Sequence, residues 1–253
     1  MSKTVAFVQA RMSSSRLPGK ILKYLNGKTV VEHLVMRLKH SKLLDDIVVL
    51  TSSNYENDRL CEVLDKASIR YFRGSEEDVL GRFIAANKVI EADKVVRITA
   101  DSPFICPEIV DSLIRRSNEV NAEYGYLSEN FAEGVDCEVI NAGVLTQIGQ
   151  LASLASEREH VTLYLFNHPS YCAMFELQNS TDDSTLRFTL DTPEDWRVVT
   201  KVAEFFGKKS TGVSYEEIKS YFNAHPEVYG INTHIQRNEG LAISLKKEHV
   251  SND

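Results

Sequence analysis

VAFVQARMSSSRLPGK, Val5 to Lys20, joins an apolar run to a basic loop. Val5 to Val8 has the length and continuity of a buried strand. The loop beyond it holds two arginines, three serines, a Pro-Gly pair and a lysine. Ser13, Ser14 and Ser15 are small enough to let backbone N–H groups turn toward one point, and their hydroxyls add donors. Arg11, Arg16 and Lys20 bring positive charge to the same concavity. Such a loop suits a polyphosphate. The other reading is an ordinary strand-to-helix connection with solvated basic residues. It is not a Walker A loop, because Ser14 stands where the first glycine belongs and Ile21 follows Lys20. The dinucleotide fingerprint GxGxxG is also absent.

Outward from this stretch the chain alternates between strand and helix patterns. Asn26-Gly27 marks a turn, and Val30, Val31, Leu34, Val35 and Leu38 then repeat at helical spacing. Asp46 to Thr51 is a strand rich in β-branched residues, followed by a helix carrying Leu60 and Leu64. Ile69 to Phe72 reads as a short strand before a helix with Val79, Leu80, Phe83, Ile84 and Ile90. Lys94 to Thr99 is another strand, and Pro107 sits at the first position of the next helix. This rhythm predicts an α/β fold with a mostly parallel central sheet and helices on both faces. Ligands in such sheets bind beyond the carboxyl ends of the strands, where both the basic loop and Asp101 emerge.

From about Ala122 the rhythm changes. Glu123–Leu127, Cys137–Ile140, Cys172–Leu177 and Thr185–Leu190 read as strands, with two helices among them, the second over Glu157–Asn167. We expect 122–180 to be an insert covering the site within a single domain spanning 1–253. Thr192-Pro193-Glu194-Asp195 is a helix start, with Thr as N-cap, Pro at N1 and an acid at N3. The chain then reads as helical to His225, and the terminal KKEHVSND as a frayed tail.

At 253 residues, with 43% hydrophobic and 26% charged side chains, the chain is long enough for one large soluble domain. A net charge of −7 argues against a surface built for nucleic acid or anionic membrane. No signal-peptide core or membrane-spanning apolar run is present, so a cytoplasmic protein is expected. Cys61, Cys106, Cys137 and Cys172 are too scattered for a zinc site or a disulfide framework.

Asp101 and Asp191 each end a strand just before a proline-marked turn. If both strands lie near the sheet centre, two carboxylates face the basic loop. A hard divalent cation, Mg²⁺ first, would then relieve their repulsion. The competing reading gives each aspartate a local capping role. Arg73-Gly74-Ser75 leaves a strand end and either contacts a base or ribose or forms a plain turn. The charged Glu157-Arg158-Glu159-His160 reads first as an ordinary helix start, which often carries such charges with no further role. Asp136-Cys137-Glu138 approaches the DxD metal motif of glycosyltransferases without matching it.

QARMSSSRLPGK (9–20) resembles the ARxxSxRLPGK signature of the ketodeoxyoctulosonate (KDO) cytidylyltransferases. FRGSEEDVLGRF, VRITADSPFICPEIVD, EGVDCEV, EREHVT, LDTPEDW and INTHIQRNEG occur in the same order in the spore-coat-polysaccharide branch of that group. The resemblance runs from Val5 to about Leu245. It implies a nucleotide-diphospho-sugar transferase fold of the glycosyltransferase-A type and a homodimer, with 122–180 as the sugar-binding and dimerisation insert. The implied reaction is CTP plus a 2-keto-3-deoxy sugar acid giving a CMP-sugar and pyrophosphate, for surface polysaccharide or glycan synthesis.

Carried over by motif, Arg11, Lys20, Asp101 and Asp191 form the catalytic set, with Asp101 and Asp191 holding Mg²⁺. Ala10, Ser13 and Arg16 join Arg11 and Lys20 on the nucleotide, as do Arg73, Ser75 and Arg97. Asp136, Glu138, Glu159 and His160 are the sugar-acid candidates. Where KDO enzymes have Gly-Asp-Glu-Pro, this chain has Ala100-Asp101-Ser102-Pro103, which leaves the acceptor open. The alternatives are a UTP- or dTTP-using sugar-phosphate nucleotidyltransferase, a glycosyltransferase consuming a nucleotide sugar, and an inactive binding scaffold.

Overall fold

The structure, a computed structural model, describes residues 2–14, 16–237, 239, 241–242 and 244–246. Ser15 of the basic loop and the tail from Lys247 onward lie outside the described residues.

The apolar run forms β1 (Thr4–Gln9), whose alternate side chains enter two different cores. Ala6 and Val8 face one, Val5 and Phe7 the other, so neither face of the strand meets water. Short strands β2 (Tyr24–Leu25) and β3 (Lys28–Thr29) make a separate hairpin around Asn26-Gly27. Helix α1 (Val30–Leu38) starts at a reciprocal cap between Thr29 and Glu32. Next come β4 (Asp46–Ser52), α2 (Asp58–Lys66), β5 (Tyr71–Gly74), α3 (Val79–Ile90), β6 (Lys94–Thr99) and α4 (Pro107–Glu119). Strands β1, β4, β5 and β6 pair in parallel, as the alternation predicts.

The second half extends this sheet. Strands β7 (Tyr124–Leu127), β8 (Glu138–Asn141) and β9 (Met174–Leu177) complete seven strands in the order β5-β4-β1-β6-β8-β7-β9. Strand β8 runs antiparallel to both neighbours, with Glu138 opposite Arg97. The strands of 122–180 are therefore continuous with the main sheet. Between β8 and β9 lie α5 (Ala142–Leu151), α6 (Ala155–Glu159) and α7 (Leu163–Asn167). Helix α8 (Pro193–Phe206) begins at the predicted Thr192–Asp195 capping box, and α9 (Tyr215–Ala224) and α10 (Pro226–Tyr229) follow. Helices α1, α2, α4, α8, α9 and α10 pack on one face of the sheet, and α3, α5 and α7 on the other.

Two expectations need correction. The helix read over Glu157–Asn167 is broken, because Val161 is fully buried with a left-handed φ of 50°. A β-branched residue in that conformation cannot continue a helix. Thr185–Leu190 alternates like a strand but joins no sheet. Its one bridge is Arg187 with Glu133. There Glu133 N–H donates to Leu186 O at 3.0 Å and Phe188 N–H donates to Glu133 O at 2.7 Å.

Candidate active site

The loop after β1 is held from below. Met12 N–H donates to Asn57 Oδ1 at 2.9 Å, and Ser13 Oγ donates to Glu76 Oε1 at 3.3 Å. Gly19 then adopts φ 65°, a left-handed turn that glycine makes without strain, and starts a 3₁₀ turn over Lys20–Leu22. With Ile21 buried beside it, Lys20 reaches inward beyond the carboxyl ends of β1 and β6.

Asp101 leaves the end of β6. Its backbone carbonyl accepts from Leu190 N–H at 2.8 Å and from Thr189 Oγ1 at 3.2 Å. These two bonds set Asp191 beside Asp101 although ninety positions separate them. Lys20 Nζ lies 2.6 Å from Asp101 Oδ2 and 2.7 Å from Asp191 Oδ1. Burial alone would lower the pKa of the Lys20 ammonium, but the two carboxylates outweigh it and the net shift is upward. Burial likewise pushes the Asp101 carboxyl up, and contact with Lys20 reverses this, leaving it below the usual carboxylate range.

Around this triad opens a cleft of about 1190 Å³, large enough for a nucleotide with a second substrate. Ala10, Arg11, Ser13, Arg16 and Lys20 line one side, with Asp101 and Asp191 at the bottom. Arg97, Asp136, Glu138, Glu159 and His160 line the rest. Arg73 and Ser75 do not line it. Arg73 is held by Asp58 at 2.7 Å and by the carbonyl oxygens of Ser52 and Asn54, and Ser75 Oγ accepts from Asp78 N–H at 3.0 Å. That stretch packs as a local turn.

Most cations of the cleft have an acid in contact. Arg11 is 3.6 Å from Glu159, and Arg16 is 3.4 Å from Asp191 and also meets Glu239. Arg97 Nη1 donates to Glu138 Oε2 at 2.7 Å, while Glu138 Oε1 accepts from Tyr124 OH at 2.8 Å and Thr162 Oγ1 at 2.9 Å. The nucleotide candidate Arg97 and the acceptor candidate Glu138 therefore form one unit. Asp136 pairs with Arg237 at 3.0 Å. The pKa of His160 is lowered, chiefly by burial, and its Nε2 has no hydrogen-bond partner among the described residues.

Sequence reading missed the support behind Asp191. Arg187 meets Glu133, lies 3.4 Å from Asp191 Oδ2 and grips the buried Asp195 through two contacts. Asp195 Oδ2 also accepts from the backbone N–H groups of Asp191 and Thr192 at 2.9 and 3.0 Å. The available signal was Arg187 set between Leu186 and Phe188 in an otherwise uncharged run, where a buried guanidinium calls for polar or acidic partners.

The donor set suits a hard divalent cation. Asp101 and Asp191 offer carboxylate oxygens to a single point, which the Lys20 ammonium marks as a place for positive charge. Among the described residues no group of three or more His, Cys, Asp or Glu side chains is arranged for a metal. A cation held by this pair would complete its shell with water and substrate oxygens, which is how Mg²⁺ is ordinarily bound. No described helix is long and apolar enough to cross a membrane.

The chain is similar to proteins of known name and structure. The chain is 34% identical over 234 residues to the spore coat polysaccharide biosynthesis protein SpsF of Bacillus subtilis, covering 90% of this chain and 97% of that protein. A cytidylyltransferase structure from Leptospira borgpetersenii superposes with a TM-score of 0.85 at 31% identity, over 90% of this chain and 97% of that one. A CMP:2-keto-3-deoxy-manno-octonic acid synthetase complexed with CTP shares the fold, with a TM-score of 0.62 at 18% identity over 82% of this chain and all of that one. The sequence profile of the cytidylyltransferases matches residues 5–233, and the chain belongs to that family.

Proposed function

We propose that this cytidylyltransferase activates a 2-keto-3-deoxy sugar acid with CTP, releasing pyrophosphate and a CMP-sugar for surface polysaccharide or glycan synthesis. The observation that carries the reading is Lys20 in contact with both Asp101 and Asp191 at the bottom of a cleft bordered by Arg11 and Arg16. In the reaction an acceptor hydroxyl oxygen bonds to the α-phosphorus as the bond to the bridging oxygen of pyrophosphate breaks, and the hydroxyl proton passes to solvent.

Arg11, Arg16 and Lys20 neutralise the triphosphate and the charge that accumulates on the departing pyrophosphate. Positioning and charge stabilisation are the protein's main contributions, since phosphoryl transfer asks for little covalent work. Asp101 and Asp191 would hold Mg²⁺, which supplies charge neutralisation and a more acidic acceptor hydroxyl when bound. Glu138, Glu159, His160 and Asp136 lie along the acceptor end on this reading. We further assign the enzyme to the cytoplasm as a homodimer through 122–180.

The test is pyrophosphate release with CTP, Mg²⁺ and a panel of keto-sugar acids, set beside UTP and dTTP with sugar 1-phosphates. Turnover with CTP and one sugar acid is the expected result. A preference for UTP or dTTP with a sugar phosphate overturns the reading. In the productive assay Asp101→Asn should lower kcat by roughly 10²–10³-fold.

A further inference from the structure

Lys20 is engaged twice over. Its ammonium touches both aspartates, its side chain is only 10% exposed, and Asp191 has Arg16 and Arg187 each at 3.4 Å besides. The same lysine is the most deeply placed cation of the loop that faces the cleft, and the same aspartates are its best hard-cation ligands. These roles compete. While the ammonium sits between the carboxylates, one oxygen of each is committed to it. While it stays there, its charge is already neutralised by two acids and is poorly available to an anion.

We propose that Lys20 is an internal counter-ion that keeps Asp101 and Asp191 together in the unloaded protein and is exchanged for a divalent cation on loading. Displaced from the aspartates, the ammonium turns to the phosphates that accompany the metal. The metal half needs only the three side chains, and the phosphate half rests on the reading under Proposed function. The local chain suits an exchange. Lys20 begins a 3₁₀ turn after the left-handed Gly19, and a lysine stem carries a compact charge on four rotatable carbons. An arginine fork would not swing so freely. The exchange ties phosphate recognition to metal arrival, because the cation that completes the phosphate site is released by the metal.

The test uses Mn²⁺ alone, without nucleotide, on the full chain. Calorimetry or electron paramagnetic resonance would compare the wild type with Lys20→Gln and Lys20→Arg. Lys20→Gln should bind Mn²⁺ more tightly, on the order of tenfold, because no ammonium has to be displaced from the carboxylates. Lys20→Arg, which keeps a competing cation, should not show that gain. Equal or weaker Mn²⁺ binding by a folded Lys20→Gln variant overturns the proposal, since it makes the lysine a fixed structural strut.

A second measurement needs no variant. Pulse acetylation read by mass spectrometry should find Lys20 slow to react in the metal-free protein, faster with Mn²⁺, and slow again when CTP or inorganic tripolyphosphate is added. No acceleration by Mn²⁺ refutes the exchange. Protection by tripolyphosphate but not by CTP would keep the exchange and count instead against the cytidylyl reading.

Discussion

Arg187 and Asp195 meet through two parallel contacts, Nε to Oδ1 at 2.8 Å and Nη2 to Oδ2 at 3.0 Å, with the carboxylate fully buried. Asn232 Nδ2 adds a bond to Asp195 Oδ1 at 2.9 Å, so the buried acid is satisfied from several directions. Asp195→Ala leaves a buried guanidinium short of its main partner and strips the acceptor from the N–H groups of Asp191 and Thr192. The expected loss of stability is about 3–5 kcal/mol, read by urea unfolding. The double variant Arg187→Met/Asp195→Leu should cost less than the two single changes summed, because it leaves neither charge stranded.

Gly134 has a left-handed φ of 106°, and a Cβ there would lie 2.5 Å from Thr189 N and 2.7 Å from Phe188 C. Both are backbone atoms and cannot step aside as a side-chain tip would. Gly134→Ala should therefore push the 188–191 segment away from Asp101. We expect a loss of more than about 2 kcal/mol in denaturant unfolding, with weaker Mn²⁺ binding as the local signature. A variant as stable as the wild type would show that this contact yields easily.

His33 is buried, with Nδ1 2.9 Å from Pro103 O and Nε2 3.1 Å from Ser210 Oγ. Burial, and then the nearby charge of Arg37, lowers its pKa from 6.5 to about 4 against the favourable Pro103 carbonyl. Between those values the unfolded chain binds a proton that the folded chain refuses, so stability rises with pH across that window. The stabilisation is complete above pH 6.5 and is lost as pH falls toward 4, a change of about 3 kcal/mol for this one group. Stability curves at several pH values should flatten in that range for His33→Gln, which keeps one donor and one acceptor.

Glu138→Gln separates the two roles that the Arg97–Glu138 contact merges. The amide cannot neutralise Arg97, and it offers one acceptor oxygen where Tyr124, Thr162 and Arg97 require two. If this wall belongs to the acceptor, the KM for the sugar acid rises on the order of tenfold while the KM for CTP stays put. A rise in the KM for CTP alone would place the pair on the nucleotide.

The parallel half of the fold was readable because its central strands are short, largely apolar and buried on both faces, and each is followed by a helix with apolar residues at helical spacing. Asp101 and Asp191 stood out because each lies just ahead of a proline-marked turn. Their meeting was implied by the family resemblance but not readable from the residues themselves, since it depends on two bonds to the Asp101 carbonyl, from Leu190 N–H and Thr189 Oγ1. Nor was the identity of the cation between them, which is a lysine of the loop itself. Thr185–Leu190 misled because alternation reports which side chains face inward, not whether a neighbouring strand is present. The break at Val161 has no local sequence signal at all. Arg73 and Ser75 drew notice as a loop after a strand end, but β5 is the edge strand and three strand positions from β6. Their side chains are taken up by local partners, although the neighbouring Glu76 accepts from Ser13 of the basic loop.

The reversal of β8 has a consequence for how such an enzyme changes over time. Because that strand enters the sheet where β6 leaves it, Glu138 arrives at the rim from a chain beginning, whereas the basic loop and Asp101 arrive from chain endings. The segment leading into β8 is nonetheless not free to drift, since Phe131, Ala132 and Val135 are buried in the core, Glu133 pairs with Arg187 and Gly134 packs against the 188–189 backbone. Room for change at that rim lies at its exposed positions, Glu129, Asn130 and Asp136.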